Sequence, residues 1–204
     1  VRLSIVIPAY NEAENIKATI NMLLSSIETL PKLGGFEVIV VDDCSTDGTY
    51  GRVVSIGDPR IGCIRLSRRA GSHTALRAGI KESTGDAVLC ISADGQDVPS
   101  CLGTMIGKLE KGSNVIWALR TSRKDEPWIA RMPAKVFYKL LFRMLNQKDS
   151  KIDLSRASFF MLDRVVIDAI NSCPERNTSL FGLIAWLGFN QDSVESERRL
   201  RLSG

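Results

Sequence analysis

Five short apolar runs alternate with helical stretches through the first 120 residues, and this alternation restricts the fold more than any other feature. The runs span residues 2–8, 36–41, 61–66, 87–91 and 114–119. The first holds Leu3, Ile5, Val6 and Ile7 with no polar–apolar alternation, the pattern of a strand covered on both faces. Asn11 and Glu14 have the spacing of a helix start, and a helix is expected from there to about Thr29, before Pro31. Further helices are expected near Thr49, over residues 74–82 and after Pro99. Strands and helices in this order predict a single α/β domain with a mostly parallel sheet and helices on both faces. From about Glu126 the pattern becomes less regular and more helical.

With 204 residues, 44% of them hydrophobic, the chain can bury one compact core. The net charge of +4 fits phosphate-bearing ligands, nucleic acid or an anionic membrane surface without choosing among them. No basic cluster is interleaved with aromatics, so nucleic acid is not an expected partner. His73 is the sole histidine, which excludes a multi-histidine centre. The five cysteines form no C-x-x-C pair, which argues against a disulfide framework or zinc knuckle and for a reducing compartment.

Polar clusters at residues 8–12, 42–47 and 92–97 fall just past strand C-terminal ends, the edge where open α/β sheets bind ligands. A dinucleotide fingerprint is missing: Pro8, Ala9, Tyr10, Asn11 and Glu12 stand where Gly-x-Gly-x-x-Gly is required. The fourth run delivers Asp94, with Gln96 two residues on. Their oxygens can share a hard cation, Mg²⁺ or Mn²⁺, whose remaining ligands come from a substrate phosphate. Asp97 either joins that cluster or caps the helix after Pro99. Asp42 and Asp43 at a buried strand end need partners, which a base N–H and ribose hydroxyls would supply. One of Ser45, Thr46 and Asp47 is also expected to cap the next helix. Cys44, beside two acids, reads as unreactive.

Taken together, residues 4–12, 42–45, 66–79 and 93–97 resemble the family 2 glycosyltransferases of the GT-A fold, and within them the polyprenyl-phosphate group that includes dolichol-phosphate mannose synthase. The likeness covers nearly the whole chain. It implies an inverting, metal-dependent transfer from a nucleotide-sugar, in our reading a UDP-sugar, to an undecaprenyl- or dolichyl-type phosphate at the cytoplasmic membrane face. Residues 1–120 would form the donor and metal half, and 121–204 the acceptor and membrane-proximal half. Pro8, Ala9, Tyr10, Asn11, Glu12, Asp42, Asp43, Ala93 and Asp94 would bind the donor. Asp94 and Gln96 would hold the metal and, with Arg120, Arg131 and Arg201, make the catalytic set. Arg123, Arg131, Arg198 and Arg201 would meet phosphates, a task suited to the planar guanidinium fork. Transmembrane helices are implied shortly after Gly204. A homo-oligomer is compatible with all of this.

Three departures from the family pattern stand out. Ser92 replaces an Asp, Arg69 replaces an Asn, and Ser158-Phe159-Phe160 replaces a segment closer to Asp-Phe-Arg. They leave two alternatives open: a soluble family 2 enzyme with a saccharide hydroxyl acceptor, based on Asp125 or Asp153, and a catalytically degenerate nucleotide-sugar binding module. Arg131, Lys135, Lys139 and Arg143 recur every fourth residue beside a bulky apolar set. By pattern alone this is either an interfacial helix or a docked helix with a solvated face; the resemblance favours the membrane.

Overall fold

The computed structural model describes residues 1–30, 33–97, 99–121, 152–175 and 179–197. Seven strands form one sheet: β1 (Leu3–Ala9), β2 (Phe36–Asp42), β3 (Ile61–Arg65), β4 (Ala87–Cys90), β5 (Val115–Arg120), β6 (Ala157–Asp163) and β7 (Gln191–Ser196). Their order across the sheet is β3-β2-β1-β4-β6-β5-β7. β6 runs antiparallel to β4 and β5, and every other pairing is parallel. The five expected strands are present to within a residue or two. β6 and β7 carry signals too weak for the sequence reading.

Helices cover both faces. α1 (Ile16–Glu28), α2 (Thr49–Val54) and α4 (Leu102–Glu110) are joined by α3 (Ser72–Glu82), α5 (Arg164–Ser172) and α6 (Leu180–Leu187). Alternate strand residues feed two cores. Leu3, Ile5, Ile7, Val38, Val40 and Leu89 face Ile16, Ile20, Leu23 and Met105. Val6, Val41 and Val88 face Leu76 and Ile80 of α3 and Ile167 of α5. A strand buried on both sides gains from every residue, at about 1.5–3 kcal/mol per large aliphatic side chain, which explains the unbroken apolar runs.

The expected helix start at Asn11 and Glu14 is corrected: α1 begins at Ile16 with Asn15 as its N-cap. The N–H groups of Asn15 and Ile16 both donate to the Glu12 carbonyl, so residues 12–15 form the entry turn. Asn11 lies outside the helix, in left-handed backbone at φ 54°.

Ser4, fully buried in β1, ties the sheet to the α3–β4 turn. Its hydroxyl donates to Glu37 Oε1 at 2.7 Å and accepts from Gly85 N–H at 2.8 Å. The same Glu37 oxygen accepts from Thr84 N–H and Oγ1, each at 2.8 Å. Burial pushes the Glu37 carboxyl up, but the bonds from Ser4 and Thr84 outweigh it and hold the group below its ordinary 4.5. A lowered folded-state pKa stabilises above the unfolded value and loses that contribution as pH falls through the folded one. Urea midpoints of the wild type should therefore drop below about pH 4.5 more steeply than those of Glu37→Gln. Parallel curves would show that Glu37 carries no such linkage.

Candidate active site

β1, β2 and β3 end level with one another: Ala9 pairs with Asp42, and Asp42 with Arg65. The loops after β1 and β2 are stitched together above this edge. Asn11 N–H donates to Ser45 Oγ at 2.9 Å, Glu12 N–H to Thr49 Oγ1 at 2.9 Å, and Ala13 N–H to Asp47 Oδ2 at 2.9 Å. In return, Asn11 Oδ1 accepts from Thr46 N–H at 2.9 Å. Asp47 Oδ1 also accepts from Thr49 N–H at 3.0 Å, but the N-cap of α2 is Gly48, in left-handed backbone without a side-chain cap, so the cap expected from Ser45, Thr46 or Asp47 is corrected. Burial raises the Asp47 pKa, and its hydrogen bonds from Thr49 and Ala13 more than offset this, leaving it below 3.8. Sequence reasoning named Asn11 and Glu12 but missed the tasks of Ser45, Asp47 and Thr49, because residues 34 to 37 positions apart are adjacent only in the fold.

The paired acids find partners inside the chain. Asp42 is fully buried; its Oδ1 accepts from Ser45 N–H at 3.0 Å. Its Oδ2 lies 3.3 Å from Arg65 Nε without forming a hydrogen bond, so that contact is an ion pair of poor alignment. Asp43 accepts from the N–H groups of Ala70 at 2.7 Å and Gly71 at 2.8 Å, one on each oxygen. The partners that the sequence reading sought in a ligand are thus supplied partly by Arg65 and the 70–71 backbone. Each carboxylate oxygen accepts more than one bond, so Asp43 keeps accepting capacity, whereas Asp42 is fully buried and meets a ligand only if its cover moves.

Asp94 follows β4 in a tight turn. Gln96 N–H donates to Asp94 Oδ1 at 3.0 Å, Gly95 sits at φ 69°, and Asp94 N–H points to Ser92 Oγ at 3.4 Å. From α1, buried Thr19 donates through Oγ1 to the Ala93 carbonyl at 2.9 Å, fixing the peptide before Asp94. Thr19 carried no sequence signal, since it reads as an ordinary helix residue. Among the described residues no three His, Cys, Asp or Glu side chains converge on a metal position. One carboxylate and one carboxamide make a partial oxygen set, which fits a hard cation whose other ligands are phosphate oxygens and water.

Arg120 ends β5 at the same sheet edge, half-buried, and its carbonyl accepts from Arg156 Nε at 2.9 Å and Nη2 at 2.6 Å. Arg123, Arg131, Arg198, Arg201, Asp125 and the 131–145 basic stripe lie outside the described residues. Ser158 and Phe160 both lie on β6, Ser158 at a register irregularity opposite Ala118 and Leu119. Phe160 is buried, with ring centroids 5.2 Å from Trp117 and 5.4 Å from Phe181, and Ser158 Oγ donates to the Ala118 carbonyl at 3.4 Å. His73 meets Phe181 edge-on at 5.4 Å, and burial pushes its pKa down. Phe160 thus joins a packed aromatic cluster, while Ser158 bonds the β5 backbone. All five cysteines are free, and burial, reinforced by Asp42, pushes Cys63 up to about 11.

The glycosyl transferase family 2 model matches residues 4–170, from β1 into α5. The chain belongs to glycosyl transferase family 2. An uncharacterized glycosyltransferase of Synechocystis is 36% identical to this family 2 chain over 206 residues, covering 100% of it and 63% of the relative. The bactoprenol glucosyl transferase of Shigella phage SfX is 30% identical over 208 residues, covering 100% and 66%. The chain thus spans a little under two thirds of the length of these curated relatives. Among solved structures, the mannosyltransferase PcManGT of Pyrobaculum calidifontis, in complex with GDP-Man and Mn²⁺, superposes with a TM-score of 0.67 at 18% identity, covering 100% of this chain and 58% of that one. At that identity the likeness is one of fold, and the fold is GT-A. Among the described residues no helix is long and apolar enough to cross a membrane.

Proposed function

We propose that this family 2 chain is the catalytic domain of an inverting glycosyltransferase that moves a sugar from a nucleotide-sugar to a polyprenyl phosphate at the cytoplasmic membrane face. The observation that supports this acceptor is the similarity, along this whole chain and 66% of the relative, to a bactoprenol glucosyl transferase. The donor half is residues 1–120 and the acceptor half 121–204.

In this reading the base and ribose lie against residues 8–12 and the carboxylates of Asp42 and Asp43. Asp94 and Gln96 would hold Mg²⁺ or Mn²⁺, and a cation bound there would supply positive charge against the departing diphosphate. The Ser92 and Thr19 contacts keep the Asp94 turn aimed at that position. Arg120, Arg123 and Arg131 pair with donor phosphates, and Arg198 and Arg201 with the lipid phosphate. An oxygen of the lipid phosphate attacks the anomeric carbon from the face opposite the leaving group. The bond from that carbon to the diphosphate oxygen breaks, and the nucleoside diphosphate leaves with the electron pair. A phosphate monoester is already anionic near neutral pH, so the step requires no strong general base. Positioning and charge stabilisation do most of the work.

The test uses the full-length protein with polyprenyl phosphate, a panel of UDP- and GDP-sugars, and Mg²⁺, Mn²⁺ or chelator. The expected result is metal-dependent formation of a lipid-linked sugar. Transfer to a saccharide hydroxyl instead would overturn the acceptor assignment. Donor binding without turnover on any acceptor would overturn the enzymatic one.

A further inference from the structure

Arg69, which the reaction as drawn above does not use, lies against the donor edge. Its guanidinium carbon sits 4.1 Å from the centroid of the Tyr10 ring, and Tyr10 is the first residue past β1. The side chain is exposed, yet the backbone beside it is fixed. The next two amides, Ala70 and Gly71, donate to the two oxygens of Asp43, which is only 4% exposed. Asp43 in turn donates its own N–H to the Ala9 carbonyl at 2.8 Å, so Tyr10 and Arg69 are tied to the same acid from opposite sides. An exposed arginine loses rotamer freedom by settling on one ring, and a cation–π contact at such a site returns only about 0.5–1 kcal/mol. The contact forms because the Asp43-bound loop delivers Arg69 there.

A ring face that accepts a planar guanidinium also accepts a planar base. The guanidinium offers only N–H donors, and its loop is bonded through the Ala70 and Gly71 amides to Asp43, a carboxylate that offers only acceptors. A donor next to an acceptor complements a ring carbonyl next to a ring N–H. Uracil and guanine present that edge; cytosine and adenine present an amino group next to an unprotonated nitrogen.

We propose that Arg69 is a specificity-determining residue of the nucleobase pocket: it lifts from Tyr10 to cover a keto base stacked there and donates to its carbonyl, while Asp43 fixes its loop. This rests on the nucleotide-sugar reading above and names the class of base.

Calorimetric titration of the full-length protein with UDP, CDP and uridine tests it, on the wild type, Arg69→Ala and Arg69→Lys. Arg69 is exposed, so neither substitution threatens the fold. The wild type should prefer UDP to CDP. Arg69→Ala should weaken UDP and uridine by a similar factor, roughly ten-fold, and shrink the preference over CDP. Arg69→Lys, which keeps the charge without the planar fork, should recover only part of it. Unchanged or tighter UDP binding by Arg69→Ala overturns the proposal. So does a loss confined to UDP with uridine unaffected, since Arg69 would then be reading phosphate. A wild type that binds no nucleoside diphosphate at all overturns the nucleotide-sugar reading itself.

Discussion

Asp94→Asn is expected to lower turnover by on the order of 10³-fold with little change in folding stability. The substitution is nearly isosteric. The new carboxamide oxygen still accepts the Gln96 N–H that Asp94 Oδ1 receives at 3.0 Å, and the Thr19 bond to the Ala93 carbonyl is untouched. The turn therefore survives, and what disappears is the negative charge. With Ser92 where the family pattern has an acid, no neighbouring carboxylate in this motif stands ready to replace it before Asp97, whose side chain is buried. A thousand-fold loss corresponds to about 4 kcal/mol of transition-state stabilisation, within the range of one charged group acting at a departing diphosphate. The measurement is initial rate against Mg²⁺ and Mn²⁺ concentration, with thermal unfolding as the control. Full turnover with an unchanged metal requirement would remove Asp94 from the metal-binding role.

Gly79→Ala is expected to destabilise the fold by about 3 kcal/mol, equivalent to a fall in Tm of roughly 6–12 °C for a domain of this size. Alanine in place of glycine within a helix normally gains about 1 kcal/mol, so the sign depends on the surroundings. A Cβ on Gly79 would lie 2.3 Å from Val6 Cγ1 and 3.1 Å from Val41 Cγ2. Both valines are fully buried in strands at the centre of the sheet, and branching at Cβ leaves them few rotamers to escape into. Overpacking therefore outweighs propensity. Thermal unfolding of Gly79→Ala, of Val6→Ala and of the pair checks this. The double variant should be more stable than the sum of the single losses, because removing the Val6 methyls makes room for the new one. Strict additivity would show that the two residues do not share the contact.

Both predictions concern residues that the sequence treated unequally. The place of Asp94 just past β4 was legible because an apolar strand leads straight into a polar cluster and two more such clusters fall on the same edge. Gly79 closes the 66–79 stretch with nothing in the sequence to mark its packing, and its close approach to Val6 spans 73 positions. The same division holds for Asp42 and Asp43. Their place at the end of β2 could be read directly, whereas the counter-charge of Arg65 and the amides of Ala70 and Gly71 came from strand register and loop return. Arg69 could be read only as a departure from a family pattern until the fold laid it on Tyr10.

Local chemistry determined the first five strands, the helices between them and the three polar loops at their ends. A strand covered on both faces must be apolar throughout, and a chain leaving it toward solvent must turn polar. β6 and β7 were decided by tertiary structure alone. β6 inserts antiparallel between β4 and β5, where Phe160 finds Trp117 and Phe181 instead of a charged partner. β7 has only Val194 as a buried apolar residue and becomes a strand because β5 offers it an unpaired edge. In both, hydrogen bonds and packing from distant segments outweigh weak local preference, since β-propensity measures how a residue fits its neighbours more than anything intrinsic to the residue.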